Sequence, residues 1–129
     1  MVDVAEFEHL IGSYDISDLL DDIASADPPA YLRRCFAEGS SAPVLSWNRI
    51  QQLAACAIVV DCVADGRDYE AFEAELIADW RMHYAQDFAK LKEPAAAALH
   101  RAQGEEAGLK DQPDAAPELR ELERRLTSA

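Results

Sequence analysis

The feature that most constrains this chain is the apolar run Leu-Ala-Ala-Cys-Ala-Ile-Val-Val at residues 53–60. Apolar side chains would cover every side of a helix formed here, and such a helix must be surrounded by other elements. The β-branched residues 58–60 are typical of a strand. The alanine-rich approach to them and the ~20 residues between Ser46 and Gly66 favour a helix instead. We therefore predict a central helix over about residues 46–65.

Apolar spacing and helix-ending residues predict further helices around the central one. Asp27-Pro28-Pro29 is a helix start, because Asp can cap free amides and Pro lacks only an N–H that has no partner in the first turn. Gly39 and Gly66 are helix ends, and Pro94 is a break. The further helices cover about residues 2–11, 16–23, 28–39, 68–92, 94–104 and 119–126. The expected fold class is all-α, a compact multi-helix bundle of about five to seven helices.

The chain divides by composition into three parts. Residues 1–104 form a helical domain, and residues 105–117 are glycine- and proline-containing with few large apolar side chains, which is typical of a linker or mobile loop. Residues 118–129 form a C-terminal helix. Its single narrow apolar stripe consists of Leu119, Leu122 and Leu126. This stripe either docks on the body of the protein or binds another chain.

The charge of the chain restricts its partners. There are 25 acidic against 12 basic residues, a net charge of −13. A chain of this sign repels nucleic acid and anionic membranes unless it has a basic patch, and none is visible. No secretory signal opens the sequence, and no apolar run approaches the ~20 residues of a membrane span. The number of cysteines is odd: Cys35, Cys56 and Cys62. This predicts reduced thiols in a cytoplasmic protein, each serving as a small core residue.

The acids are concentrated at the start of the chain. Residues 1–32 contain eight acidic residues and no Lys or Arg. One interpretation is a solvated face that keeps the protein soluble, and the other is a surface that meets a basic protein partner. The candidate partner-binding residues in this segment are Asp15, Asp18, Asp21 and Asp22.

Two further acids lie at the end of the central helix. The helix dipole disfavours negative charge there by about 0.3–1 kcal/mol each, so Asp61 and Asp65 need an explanation. They are part of a solvated helix end, or one of them pairs with a cation such as Arg67. If both are exposed, they extend the partner-binding surface.

One group of side chains resembles a metal site. Glu75, Asp79 and His83 step by four residues along a predicted helix and are candidate metal ligands. His83 falls on the apolar side of that helix with Asp87 one turn further on, as in a catalytic pair or a satisfied buried histidine. The structural interpretation is preferred because no nucleophile is near. No phosphate-binding, zinc-binding or nucleophile-elbow motif occurs, so no catalytic residue and no cofactor is assigned.

Several segments resemble a known bacterial family. The acidic stretch 18–23, Leu32, the alanine-rich stretch 52–60 and the tail segments 95–101 and 118–126 are similar to the all-helical domain-of-unknown-function family 4259. The resemblance covers about two thirds of the chain. It implies a cytoplasmic bacterial protein and supplies no activity.

Three functions remain open from the sequence. The preferred one is a non-enzymatic protein–protein interaction module of the inhibitor, immunity or adaptor type, acting through its acidic surface. The second is a helical-bundle enzyme or a metal- or ligand-binding protein that uses the His83 region. The third is a structural subunit of a homo-oligomer, with the central helix or the C-terminal leucine stripe at the interface.

Overall fold

The computed structural model describes residues 7–67, 72 and 74–127, and its central element is the helix Trp47–Asp65. Every side chain of the apolar run 53–60 is fully buried in it. The helix begins after Ser46, whose Oγ accepts the N–H of Arg49 at 3.2 Å. It ends at Gly66, whose φ of 72° lies in the left-handed region that glycine adopts without a Cβ penalty. The predicted central helix is confirmed.

Helices surround this element on all sides, and no strand occurs in the described residues. In chain order they are α1 (Glu8–Ile11), α2 (Ile16–Ala24), α3 (Pro28–Ser41), α4 (Trp47–Asp65), α5 (Ala74–Ala89), α6 (Lys92–Gln103), α7 (Glu106–Leu109) and α8 (Ala115–Thr127). α1, α3, α5, α6, α7 and α8 all contact α4. The all-α bundle around a central apolar helix is therefore confirmed.

The helix α3 differs from the sequence prediction at both of its ends. Asp27 precedes it as expected, but the Asp27 side chain makes no cap hydrogen bond. Pro29 has no N–H at the second helical position, one of the two positions to which a cap side chain bonds. Gly39 does not end α3, which continues two residues further. An added Cβ at Gly39 would lie 2.6 Å from Leu53 Cδ2, so this glycine allows α3 and α4 to approach closely.

The segment predicted as one helix over residues 68–92 contains a break. α5 and α6 are separate helices, and the break precedes Pro94, which lies in the first turn of α6. A proline costs little there, because the first-turn N–H groups have no helical partner. α5 is itself interrupted at Tyr84, whose φ is −133° and ψ 17°. The predicted helix start at residues 68–71 and 73 lies outside the described residues.

The C-terminal helix docks on the body of the protein. α8 packs along α6, and its leucine stripe is at most 3% exposed. The stripe and the alanine-rich face of α6 belong to one core cluster. Both surfaces that the sequence offered for a homo-oligomer interface, α4 and the leucine stripe, are thus buried within the chain.

The segment predicted as a linker or mobile loop, residues 105–117, contains α7 and the start of α8. Glu105 Oε2 accepts the N–H of Leu45 at 2.9 Å and pairs with Arg101 at 3.1 Å. The hydrogen bond from Leu45, followed by the one from Arg101, lowers the pKa of Glu105 against the opposing effect of burial. The start of the segment is therefore tied to the loop before α4, and its mobility stays a prediction.

Candidate functional site

The acidic residues of the opening segment lie on the outer side of α2. The orientation of this helix is fixed by a buried aliphatic stripe made of Ile16, Leu19, Leu20 and Ile23. Burial of such side chains stabilises a fold by about 1.5–3 kcal/mol each, so the polar positions must face outward. Four carboxylates are exposed there and are termed the α2 acidic face: Asp15, Asp18, Asp21 and Asp22.

The carboxylates of the α2 acidic face are close enough to repel one another. Asp15 caps the helix, because its Oδ1 accepts the N–H of Asp18 at 3.0 Å. The negative charge of Asp15 is the largest cause that raises the pKa of Asp18, followed by a side-chain hydrogen bond between the two. The charges of Asp21 and Asp22 act in the same direction. The face therefore carries concentrated negative charge.

No cation within the described ranges pairs with these carboxylates. Carboxylates on other elements do have cationic partners: Glu38 with Arg49, Asp65 with Lys92, Glu105 with Arg101 and Glu121 with Arg124. The neighbouring helix α3 carries a cation, Arg34, but its guanidinium lies over the Tyr31 ring, 5.8 Å from the ring centroid, and forms no ion pair with the α2 acidic face.

A surface pocket of about 350 Å³ adjoins the α2 acidic face. Its lining brings carboxylates of α2 opposite amides from the first two turns of α4: Asp15, Asp18, Asp22, Asn48, Gln51 and Gln52. Gln51 is buried, at 5% exposure, and its Nε2 donates to Ser13 Oγ at 3.0 Å. Carboxylates and amide oxygens together accept hydrogen bonds from ammonium or guanidinium groups, so the pocket suits a cationic side chain.

Tyr14 adds a neutral hydroxyl to the same pocket. Burial, followed by the nearby Cys56, raises the pKa of Tyr14 to about 12. The phenol is therefore protonated at neutral pH and can donate a hydrogen bond. The negative charge of the pocket comes from the aspartates.

The structure does not bring Asp61 and Asp65 to this site. They lie further along α4, about 14 Å (Asp61) and about 20 Å (Asp65) from Gln52 along the helix axis at 1.5 Å per residue. Asp61 is fully buried and forms an ion pair with Arg67, so its carboxylate is not exposed to a partner. Asp65 pairs with Lys92 at 2.8 Å. The turn at Gly66 lets Arg67 reach back to Asp61. Because Asp61 is buried, Asp61 and Asp65 do not extend the partner-binding surface in the way that the sequence analysis expected if both were exposed.

The candidate metal ligands do not form a site. Glu75, Asp79 and His83 are all exposed on α5, and His83 Nε2 lies 3.3 Å from Asp79 Oδ1. No group of three His, Cys, Asp or Glu residues that could hold a metal ion was found within the described residues. The expectation of a buried His83 beside Asp87 is wrong. The buried stripe of α5 consists of Ile77, Trp80 and Phe88, which turns the apolar side of the helix away from His83.

Sequence reasoning missed the α4 side of the pocket. Asn48, Gln51 and Gln52 stand at the start of a helix that is otherwise apolar, and this polar cluster was the available signal. It marks the one part of α4 that opens toward solvent beside α2. Which helix would face it could not be read from α4 alone.

Comparisons with known proteins add no assignment to this geometry. No protein-family profile, curated protein or solved structure matches the chain. The resemblance to family 4259 therefore stays a prediction. Within the described ranges, none of the helices has the length and apolar character that crossing a membrane requires.

Proposed function

We propose that this protein is a non-enzymatic interaction module, of the inhibitor, immunity or adaptor type, whose α2 acidic face binds a basic surface on a protein partner. The observation that carries the proposal is the set of four exposed carboxylates, whose neighbouring charges raise the pKa of Asp18 and which form no ion pair among the described residues. We place this function in the bacterial cytoplasm, as the resemblance to family 4259 implies.

Cations of a partner would supply what the α2 acidic face lacks. A lysine or arginine that enters the pocket beside Asp15, Asp18 and Asp22 would relieve the repulsion between these carboxylates. Hydrogen bonds between ionised groups are roughly twice as strong as neutral ones, and Arg meets a carboxylate with two parallel bonds. The same negative potential attracts basic proteins over long distances and repels nucleic acid.

The test compares two variants that lose the same charge at different places. The site variant is Asp15→Asn, Asp18→Asn, Asp21→Asn and Asp22→Asn, in which Asn still caps α2. The control variant neutralises four exposed acids of α5 and α6 instead: Glu75→Gln, Asp79→Asn, Asp87→Asn and Glu93→Gln. Each immobilised chain captures partners from a lysate of the source cells at low salt. The captured protein is then purified, and its association rate is measured at several ionic strengths.

We expect the site variant to associate about tenfold more slowly at low salt, with a shallower dependence on ionic strength. The control variant should stay within about twofold of the wild-type rate, because its lost charges lie away from the contact. Equal slowing of both variants would show a net-charge effect without a site. A site variant that associates as fast as the wild type would reject the proposal.

A further inference from the structure

A buried amide has an unused acceptor at the pocket beside the α2 acidic face. Gln51 lies in the second turn of α4, is 5% exposed and lines this pocket. Its Nε2 donates to Ser13 Oγ at 3.0 Å, which fixes the orientation of the carboxamide. Within residues 7–67, 72 and 74–127, the Gln51 Oε1 atom accepts no hydrogen bond.

This oxygen faces the pocket and not the core. Every described side-chain nitrogen or oxygen that is shut off from solvent has a hydrogen-bond partner. An oxygen without a partner therefore reaches solvent, and the open space that Gln51 lines is the acidic pocket. Because the residue is already almost fully desolvated, a donor that enters the pocket gains a hydrogen bond to Oε1 and displaces little water.

Tyr14 supplies an aromatic surface in the same pocket. Its side chain is partly buried and packs against the core, and its N–H donates to the Ile11 carbonyl at 3.0 Å. The ring is therefore held in place before a ligand arrives. Planar guanidinium groups lie over such rings more readily than compact ammonium groups do, and Arg34 lies over Tyr31 in this way in the same chain.

We propose that this pocket binds an arginine side chain of the protein partner in preference to a lysine, and that Gln51 and Tyr14 determine the preference. The inference rests on the proposed function, because it names the cation that the α2 acidic face receives. The pocket, of about 350 Å³, has carboxylates of α2 on one wall and the Gln51 amide on the other.

The shape of the guanidinium group explains the preference. Its N–H donors form a planar fork, so one edge can bond to a carboxylate of α2 while another N–H reaches Gln51 Oε1 across the pocket. An ammonium group gathers its donors around one nitrogen and acts as a point charge. Lysine would therefore use the negative charge of the pocket but not the acceptor on α4 or the face of the Tyr14 ring.

The test compares two probe peptides of equal length and charge on the folded full chain at low salt. One is acetylated and amidated Gly-Gly-Arg-Gly-Gly, and the other has Lys in place of Arg. NMR titration of the isotope-labelled protein follows the Gln51 side-chain amide and the backbone amides of α2. We expect the arginine peptide to bind about fivefold more tightly and to shift the Gln51 side-chain amide. This comparison uses the wild-type chain, so it does not depend on how a variant folds.

Variants then separate the roles of Gln51 and Tyr14. Gln51→Leu removes the acceptor, and the exposed Ser13 hydroxyl can turn to water. The preference for arginine should fall to within about twofold in this variant, with binding of the lysine peptide unchanged. Tyr14→Leu should also reduce the preference, whereas Tyr14→Phe keeps the ring and should retain it.

Different results reject this inference and the proposed function. Equal affinity for the two peptides, or an unshifted Gln51 side-chain amide, would overturn the arginine preference. A preference that persists in both Gln51→Leu and Tyr14→Leu would overturn the roles given to these residues. The site variant with four amides on α2 should lose binding of both peptides, and unchanged binding there would count against the α2 acidic face itself.

Discussion

Single residues join parts of this chain that are far apart in sequence. Leu10 lies in the first turn of α1, where its N–H has no helical partner. Glu118 of α8 accepts that N–H at 3.0 Å. The same carboxylate lies 2.7 Å from His9 Nδ1. One side chain therefore completes α1 and attaches it to α8.

The pair of His9 and Glu118 predicts a pH dependence. The hydrogen bond to Glu118 is the largest cause that raises the pKa of His9 above 6.5. A raised pKa in the folded state means that the pair contributes fully to stability below pH 6.5 and loses that contribution as pH rises through the folded-state pKa. NMR titration of the His9 ring should give a value above 6.5 in the wild type and a value near 6.5 in Glu118→Gln. A wild-type value at or below 6.5 would contradict this.

A glycine in α7 predicts a steric effect. The Cβ of Gly108→Ala would lie 2.6 Å from the Leu45 carbonyl oxygen and 2.8 Å from Ile50 Cδ1. Overpacking of this kind costs about 1–3 kcal/mol of unfolding free energy. Gly104→Ala is the control, since its nearest contact would be an ordinary 3.5 Å, and it should leave stability unchanged or raise it by up to about 1 kcal/mol. Urea denaturation measures both, and equal destabilisation would disprove the steric explanation.

At the scale of elements, α8 connects several helices of the bundle. It contacts α1, α4 and α6, and its leucine stripe is buried against them. A helix of 13 residues is marginal in water by itself. Tertiary packing of its apolar face is therefore what keeps α8 helical, and the segment before it is held by the same contacts.

A truncation in the stripe tests this role of α8. Leu122 is fully buried, so Leu122→Ala should lower the unfolding free energy by about 2–5 kcal/mol through lost burial and a cavity. Met82 is 79% exposed, so Met82→Ala should stay within about 0.5 kcal/mol of the wild type. Denaturant titration with an unchanged m-value is the measurement. A small loss for Leu122→Ala would mean that α8 is not part of the cooperative unit.

At the scale of the whole molecule, the charge is unevenly compensated. The net charge is −13, yet many acids on α3 to α8 have cationic partners, whereas the α2 acidic face has none among the described residues. Net charge far from zero opposes compaction through self-repulsion. The stability of this fold is therefore expected to depend on ionic strength.

Salt should raise the melting temperature of this protein. Increasing NaCl from about 0.01 M to 0.15 M shortens the screening length from about 30 Å to 8 Å and weakens repulsion between unpaired carboxylates. The site variant with four amides on α2 should show a smaller rise, because part of the repulsion has been removed. Calorimetry of both chains at matched pH is the measurement. A melting temperature that is constant or falls with NaCl would show that repulsion is unimportant for this fold.

Local patterns in the sequence were sufficient for the central helix α4 and for the orientation of α2, but not for α7, which lies in the segment predicted as a linker. The apolar run 53–60 required a surrounded helix, and the spacing of the aliphatic stripe in α2 required that its aspartates face water. Where a helix was interrupted, the pattern misled: the buried side of α5 runs through Ile77 and Phe88, and His83 is exposed. The spacing of apolar residues identifies the buried side of a helix only when all residues of the buried stripe are known.

The sequence by itself determined that this chain is a helical bundle with α4 at its centre and an acidic α2, because both follow from side chains a few residues apart on one helix. Only the tertiary structure decided that Asp61 is buried and paired with Arg67, and that the amides of α4 face the α2 acidic face. Those contacts depend on how the chain turns and helices cross, which no repeating local pattern encodes.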